Sequence, residues 1–210
     1  MPERFVVAFV VGVTPGKWAR VWGERLPQHP LDLRPMSASE ALASLDSGAS
    51  DAALLRLPVS NERLSVIPLY EEQPVVVVPK GHVIESVDSV VLGDLAAENL
   101  LDAEWAAAVE LIAANVGVAV MPQSVARAYS RRDVLARPVT DAPTSRIALA
   151  WLTDNQTPLV DEFIGIVRGR TANSSRGSVP DATPDPPRKL PARKVVKPAP
   201  RIKFPNKKKR

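Results

Sequence analysis

The 210-residue chain contains no cysteine, which leaves no disulfide framework, no thiolate metal site and no thiol nucleophile. Histidine occurs twice, at His29 and His82. Neither has carboxylate or histidine company at metal-ligand spacing, and no serine stands in a nucleophile-elbow context. Residues 12–16 hold too few glycines for a phosphate loop. A non-enzymatic protein without metal or cofactor is the expectation. Long apolar runs are also missing. The one stretch that imitates a targeting signal, FVVAFVVGV at residues 5–13, is far shorter than the roughly 20 residues that span a bilayer. It is β-branched, ends in Thr14-Pro15-Gly16 and lacks a small-x-small cleavage site, so it reads as a buried strand rather than a secretory signal. The cysteine-free composition suits a reducing cytoplasm, and no membrane association is expected. Aromatics are only 5% of the chain.

What is present divides into two parts. Residues 1–167 carry 13 Lys and Arg against 21 Asp and Glu, a net of −8, whereas residues 168–210 carry 14 against two, a net of +12. The acidic body is 5–170. Residues 5–13 predict a parallel strand covered on both faces. Thr14 and Pro15 then predict a cap and first turn, and Trp18, Val21, Trp22 and Leu26 lie on one helical face. Residues 31–36 predict an edge strand because of Pro35. Ser37-Ala-Ser-Glu40 predicts a capping box opening a helix that stops at Gly48. Strands follow at 52–57, 64–70 and 74–78, with Glu71-Glu72 as a charged turn between the last two. Further on come a helix at 105–116 ended by Gly117, a strand at 118–121, a helix capped by Ser124, and extended residues 134–139. A strand at 146–152 and a helix started by Thr157-Pro158 complete the body. Strand, helix, strand, helix, strand is the pattern of a parallel sheet covered by helices.

Beyond residue 170 the periodicity ends in eight prolines and repeated basic pairs. Such a segment cannot offset its ordering entropy, and a disordered tail is expected over 171–210. Its cations Arg188, Lys189, Arg193, Lys194, Lys197, Arg201, Lys203, Lys207, Lys208, Lys209 and Arg210 are candidates for non-specific DNA or RNA binding through phosphate neutralisation. A merely solvating tail is the competing reading.

Several patterns, in order, resemble the effector-binding domain of LysR-type transcriptional regulators. They are VVGVTPG before an amphipathic helix, LPQHPLDLRPMSASEALASLDSGASDAALLRL, VIPLYEEQPVVVVPKGHVI, AANVGVAVMP and RIALAW. The resemblance covers about residues 5–170. It implies an α/β fold of two Rossmann-like lobes of the type II periplasmic-binding-protein kind, lobe I being 5–78 and 146–170 and lobe II 79–145. It departs from the family in two places. Only four residues precede the first strand, where the family has a winged helix-turn-helix, and the second lobe is reduced, with nine residues between Asn99 and Val109.

By that resemblance, ligands lie between the lobes outside the carboxyl ends of the strands. The candidate contacts are Thr14, Gly16, Ser37, Ser39, Arg56, Leu57 and Lys80, and the amino end of the first helix favours a small carboxylate-type anion. Thr14, Ser37 and Ser39 are equally sufficient as caps. Arg56, a charge inside an apolar strand, needs a partner, either a ligand or an internal carboxylate. The resemblance also implies a homodimer formed side by side through residues 31–36 and 37–45. The expectation is a regulator-like cytoplasmic protein that senses a small anion or a protein partner. An interaction module that has lost its pocket and a solute-binding protein for uptake stand as alternatives.

Overall fold

A strand buried on both faces needs neighbours on both sides, and the valine-rich start of the chain finds them. In the computed structural model, which describes residues 4–170, β1 (Phe5–Phe9) lies between β2 (Leu31–Pro35) and β3 (Ala52–Leu57) and is parallel to both. Each parallel crossover carries a helix, α1 (Gly16–Arg25) and α2 (Ala38–Asp46). The sheet then accepts a late strand. β8 (Ser145–Leu152) enters antiparallel beside β3, and β4 (Leu64–Glu72) closes the far edge, giving the order β2-β1-β3-β8-β4. β2 is the other edge, as Pro35 predicts.

α5 (Pro158–Val167), capped by Thr157, carries Phe163 onto this sheet. Phe5 stacks on Trp22 at 4.8 Å between centroids, and Phe163 closes the cluster at 5.4 Å from Phe5 and 5.8 Å from Trp22. The Trp22 indole N–H donates to the His29 carbonyl at 2.7 Å. Trp18 and Trp22 are therefore core residues.

The second sheet has β5 (Pro74–Pro79) between β6 (Ala119–Pro122) and β7 (Val134–Pro138), antiparallel to both. Val75 and Val77 pack with α3 (Trp105–Ala113) and with Val125 of α4 (Gln123–Ala128). Val76 and Val78 pack on the other side against Ile84 and Leu95, from two short 3-10 turns. The expected lobe boundary, which assigns residues 74–78 to the first lobe, does not hold. Their valines need cover on both faces, and the second sheet supplies it together with two partner strands. β4 of the first sheet ends at Glu72, and β5 of the second begins at Pro74.

Three local expectations also change. Glu71 and Glu72 end a nine-residue strand and form no turn. α3 stops at Ala113, and Asn115, with φ of 59°, takes the left-handed position assigned to Gly117. Gly117 is needed instead because the Asn99 carbonyl would collide with any Cβ there. Ser124 does not cap α4. The expected tail at 171–210, with its nucleic-acid candidates, lies outside the described residues.

Candidate functional site

The cleft is built where β1, β3 and β4 end. β4 pairs with β8 in regular register from Leu64 to Pro68, then shifts by one, so that Tyr70 faces Ile147 and Glu72 faces Ser145. Directly paired residues point to the same face of an antiparallel sheet. The extra residue at Leu69 therefore turns Tyr70 and Glu72 onto the face opposite Leu64, Val66 and Pro68. Arg56, paired with Ile147, is on that same face. The bulge thus aims a carboxylate at a guanidinium.

Arg56 Nε donates to Glu72 at 2.6 Å, and its Nη2 donates to the Val11 carbonyl at 3.2 Å and Ser124 Oγ at 3.4 Å. The Ser124 hydroxyl donates to the other Glu72 oxygen, and Ser145 Oγ donates to Glu72 at 3.2 Å. Glu72 is only 5% exposed. Burial alone pushes its pKa up, but the bonds from Arg56, Ser124 and Ser145 and the guanidinium charge outweigh this and hold it below the usual 4.5. Ser124 belongs to α4 in the second lobe, so the cluster ties the lobes together. Gly12, with φ of +88°, lets Ser124 approach. A Cβ there would collide with the hydroxyl and stand 3.0 Å from Ser124 backbone carbon. Burial and the charges of Glu72 and Arg56 act on Tyr70 too; burial and Glu72 push the phenol up, and Arg56 opposes them.

A pocket of about 610 Å³ opens beside this cluster, lined by Gly12, Val13, Thr14, Lys17, Trp18, Tyr70, Ser124, Arg127 and Ala128. Pro15 occupies the cap position of α1, and the Trp18 and Ala19 amides are the first to bond back to it. Thr14 makes no cap bond and faces the pocket, contrary to its expected role as a cap. Lys17 Nζ lies 5.0 Å from the centre of the Trp18 ring. Among the described residues neither Lys17 nor Arg127 has an ion-pair partner.

The other expected contacts are distributed differently. Ser37 forms the capping box with Glu40, and Ser39 Oγ lies 3.2 Å from Ser37 Oγ. Neither lines the pocket. Gly16 is open at the helix start, with nothing within 4 Å of a Cβ. Leu57 is half-buried beside Arg146 in the sheet. Lys80 does not border the cleft. β5 starts at Pro74 and carries Lys80 roughly 20 Å away at the rise of an extended strand. There it joins His82, Arg131 and Arg132 around a wide opening of about 1080 Å³. Arg131 is neutralised by Glu110 at 2.6 Å and Asp133 at 3.0 Å. His82 Nδ1 accepts from the Ile84 amide at 3.3 Å, and Nε2 lies 3.2 Å from Glu98. No group of three His, Asp or Glu side chains among the described residues could hold a metal ion.

Sequence reasoning missed Lys17, Tyr70, Glu72, Ser124, Arg127 and Ser145. The signal available was Arg56 itself, whose charge required a partner.

Comparison with known proteins agrees with this fold. The effector-binding domain of a BenM variant superposes with a TM-score of 0.69 at 18% identity, over 79% of this chain and 93% of that one. The reduced OxyR regulatory domain from Pseudomonas aeruginosa gives 0.63 at 19% identity, over 80% and 95%. These identities speak for the fold alone. Among curated proteins, a probable hydrogen peroxide-inducible genes activator of Mycobacterium xenopi is 42% identical over 59 residues, 28% of this chain and 31% of that protein. One of Mycobacterium leprae (strain TN) is 29% identical over 158 residues, 60% of this chain and 51% of that protein. The chain thus spans about half or less of these relatives. The model of the LysR substrate binding domain matches in two stretches, residues 16–104 and 103–172. The chain belongs to the LysR substrate-binding domain family.

Proposed function

We propose that this chain is the sensing part of a transcriptional regulator and binds a small carboxylate-type anion, without turnover, in the pocket at the start of α1. The observation that carries the reading is the convergence of Lys17 and Arg127, two cations without an ion-pair partner among the described residues, on the amino end of a ten-residue helix. The Gly16 and Lys17 amides precede the first helical bonds and the helix dipole favours negative charge there. Thr14 and Tyr70 add hydroxyls that can fix a ligand's orientation, and Trp18 supplies an apolar wall.

Relatives are named for induction by hydrogen peroxide. Thiol oxidation requires a thiolate, and this chain has no cysteine, so a peroxide response through it would need another route. The cation-lined pocket favours an anion instead. Titration of the protein with a panel of small carboxylates by calorimetry tests this. Binding should be weakened about tenfold or more by Lys17→Ala or Arg127→Ala, as loss of a charge-assisted contact predicts. A panel without binding, or binding indifferent to both substitutions, refutes the reading.

Two further parts belong to it. Two copies pair through β2 and α2, supported by the position of β2 at the edge of its sheet. The basic residues of 188–210 bind nucleic acid without sequence preference, supported by the segregation of charge along the chain. The place of action is the cytoplasm; among the described residues no helix is long and apolar enough to cross a membrane.

A further inference from the structure

A guanidinium and two hydroxyls that converge between two lobes are the donor set of a carboxylate-binding site. In this protein Arg56, Ser124 and Ser145 form such a set, and all three donate to one carboxylate, that of Glu72. The set is complete without any outside group. Arg56 Nη2 donates further to Val11 and Ser124. Both Glu72 oxygens are engaged, and the side chain is buried. Every feature of an occupied ligand site is present, except that the occupant is covalently part of the chain.

The cluster also divides the cleft. Ser124 lines the outer pocket at α1, whereas Arg56 and Ser145 line a separate pocket of about 230 Å³ with Trp105 and Met121. Glu72 binds residues of both and stands between them. A ligand in the outer pocket that reached inward with a second negative group would meet the Glu72 charge.

We propose that Glu72 is a built-in ligand. Its carboxylate occupies the inner anion subsite of the cleft and sets what the cleft accepts. A free carboxylate is admitted only in the outer pocket, and removal of the Glu72 side chain uncovers an inner site for a free carboxylate of formate or acetate size. The statement about the outer pocket rests on the function proposed above; the inner site stands on its own geometry.

The test is chemical rescue in the full chain. Glu72→Ala leaves the donor set intact and empties the space, whereas Glu72→Gln keeps the space filled. In sodium chloride, Glu72→Ala should melt on the order of ten degrees below the unsubstituted protein, since it leaves the partly buried Arg56 guanidinium unpaired. Sodium acetate at the same pH and ionic strength should return several of those degrees, because binding to the native state alone raises its stability. The unsubstituted protein and Glu72→Gln, which offer acetate the outer pocket alone, should gain clearly less from the exchange. If Glu72→Ala does not fold in chloride, refolding yield is read instead, and recovery in acetate alone supports the proposal. No advantage of acetate in melting or refolding overturns it, as does an equal acetate response in all three proteins. Adding Lys17→Ala and Arg127→Ala to Glu72→Ala separates the two sites. Rescue should survive, and rescue lost with those cations would put the acetate in the outer pocket, overturning the inner site while leaving the outer one standing.

Discussion

Arg56 sits on a strand whose other side chains are apolar, and its ion pair with Glu72 is the buried charge on which the cleft turns. Breaking a buried pair from one side costs about 3–5 kcal/mol, because the remaining charge is stranded. Arg56→Met should therefore destabilise by that amount in urea denaturation, and the double change Arg56→Met with Glu72→Met should recover most of it. The same residue predicts a pH effect. Glu72 has a folded pKa below its ordinary 4.5. It contributes stability above that value and loses the contribution as pH falls through its folded pKa. Stability curves measured from pH 6 downward should fall less steeply for Glu72→Gln. Gly12→Ala meets Ser124 and a left-handed backbone together, so a loss of over 1 kcal/mol is expected from denaturation.

At the scale of elements, the bulge in β4 decides which side chains enter the cleft. Deleting Leu69 should remove the bulge yet keep Tyr70 and Glu72 paired with Ile147 and Ser145, on the Arg56 face; deleting Glu71 instead should turn Glu72 to the other face. The expected loss from the second deletion is comparable to that of Arg56→Met, read by the same denaturation. The capping box of α2 makes a milder claim. Ser37 accepts from the Glu40 amide, and the Glu40 carboxylate accepts from the Ser37 amide at 2.9 Å. Ser37→Ala should cost about 1 kcal/mol and leave anion binding at Lys17 and Arg127 unchanged, because Ser37 lies outside that pocket.

At the scale of the molecule, charge is segregated along the chain. Under the proposed nucleic-acid role, the full chain should shift duplex DNA of unrelated sequences equally. Log K should fall by roughly 0.9 per log unit of salt for each phosphate neutralised. A chain ending at Arg170 should shift none; equal binding by both chains would place the contact in the acidic body. For assembly, sedimentation of the chain ending at Arg170 should show a dimer at tens of micromolar, roughly the weak end of specific interfaces. Leu100, Leu111 and Val116, near the break between the two family matches, are all exposed.

Elements whose signals are local are legible in the sequence itself. Valine runs, Pro35, the Ser37 box and the Thr157-Pro158 start each act within a few residues of their own position. That is why β2, α2 and α5 form where their residues predict, and why β1 starts where predicted, although it ends at Phe9 and not at Val13. The family resemblance and the need of Arg56 for a partner are legible as well. The identity of that partner is not, because Glu72 reaches Arg56 only through a register shift between β4 and β8, strands 73 residues apart at the Ser145 contact. Nor can sequence order place β5 in the second sheet or carry Lys80 away from the cleft, since strand partnership depends on which faces remain uncovered once distant segments pack. Ser124 reads as a cap because hydroxyls before helices usually are caps. Its true acceptor lies on the other lobe, and only the tertiary structure brings Gly12, Glu72 and Ser124 to one point.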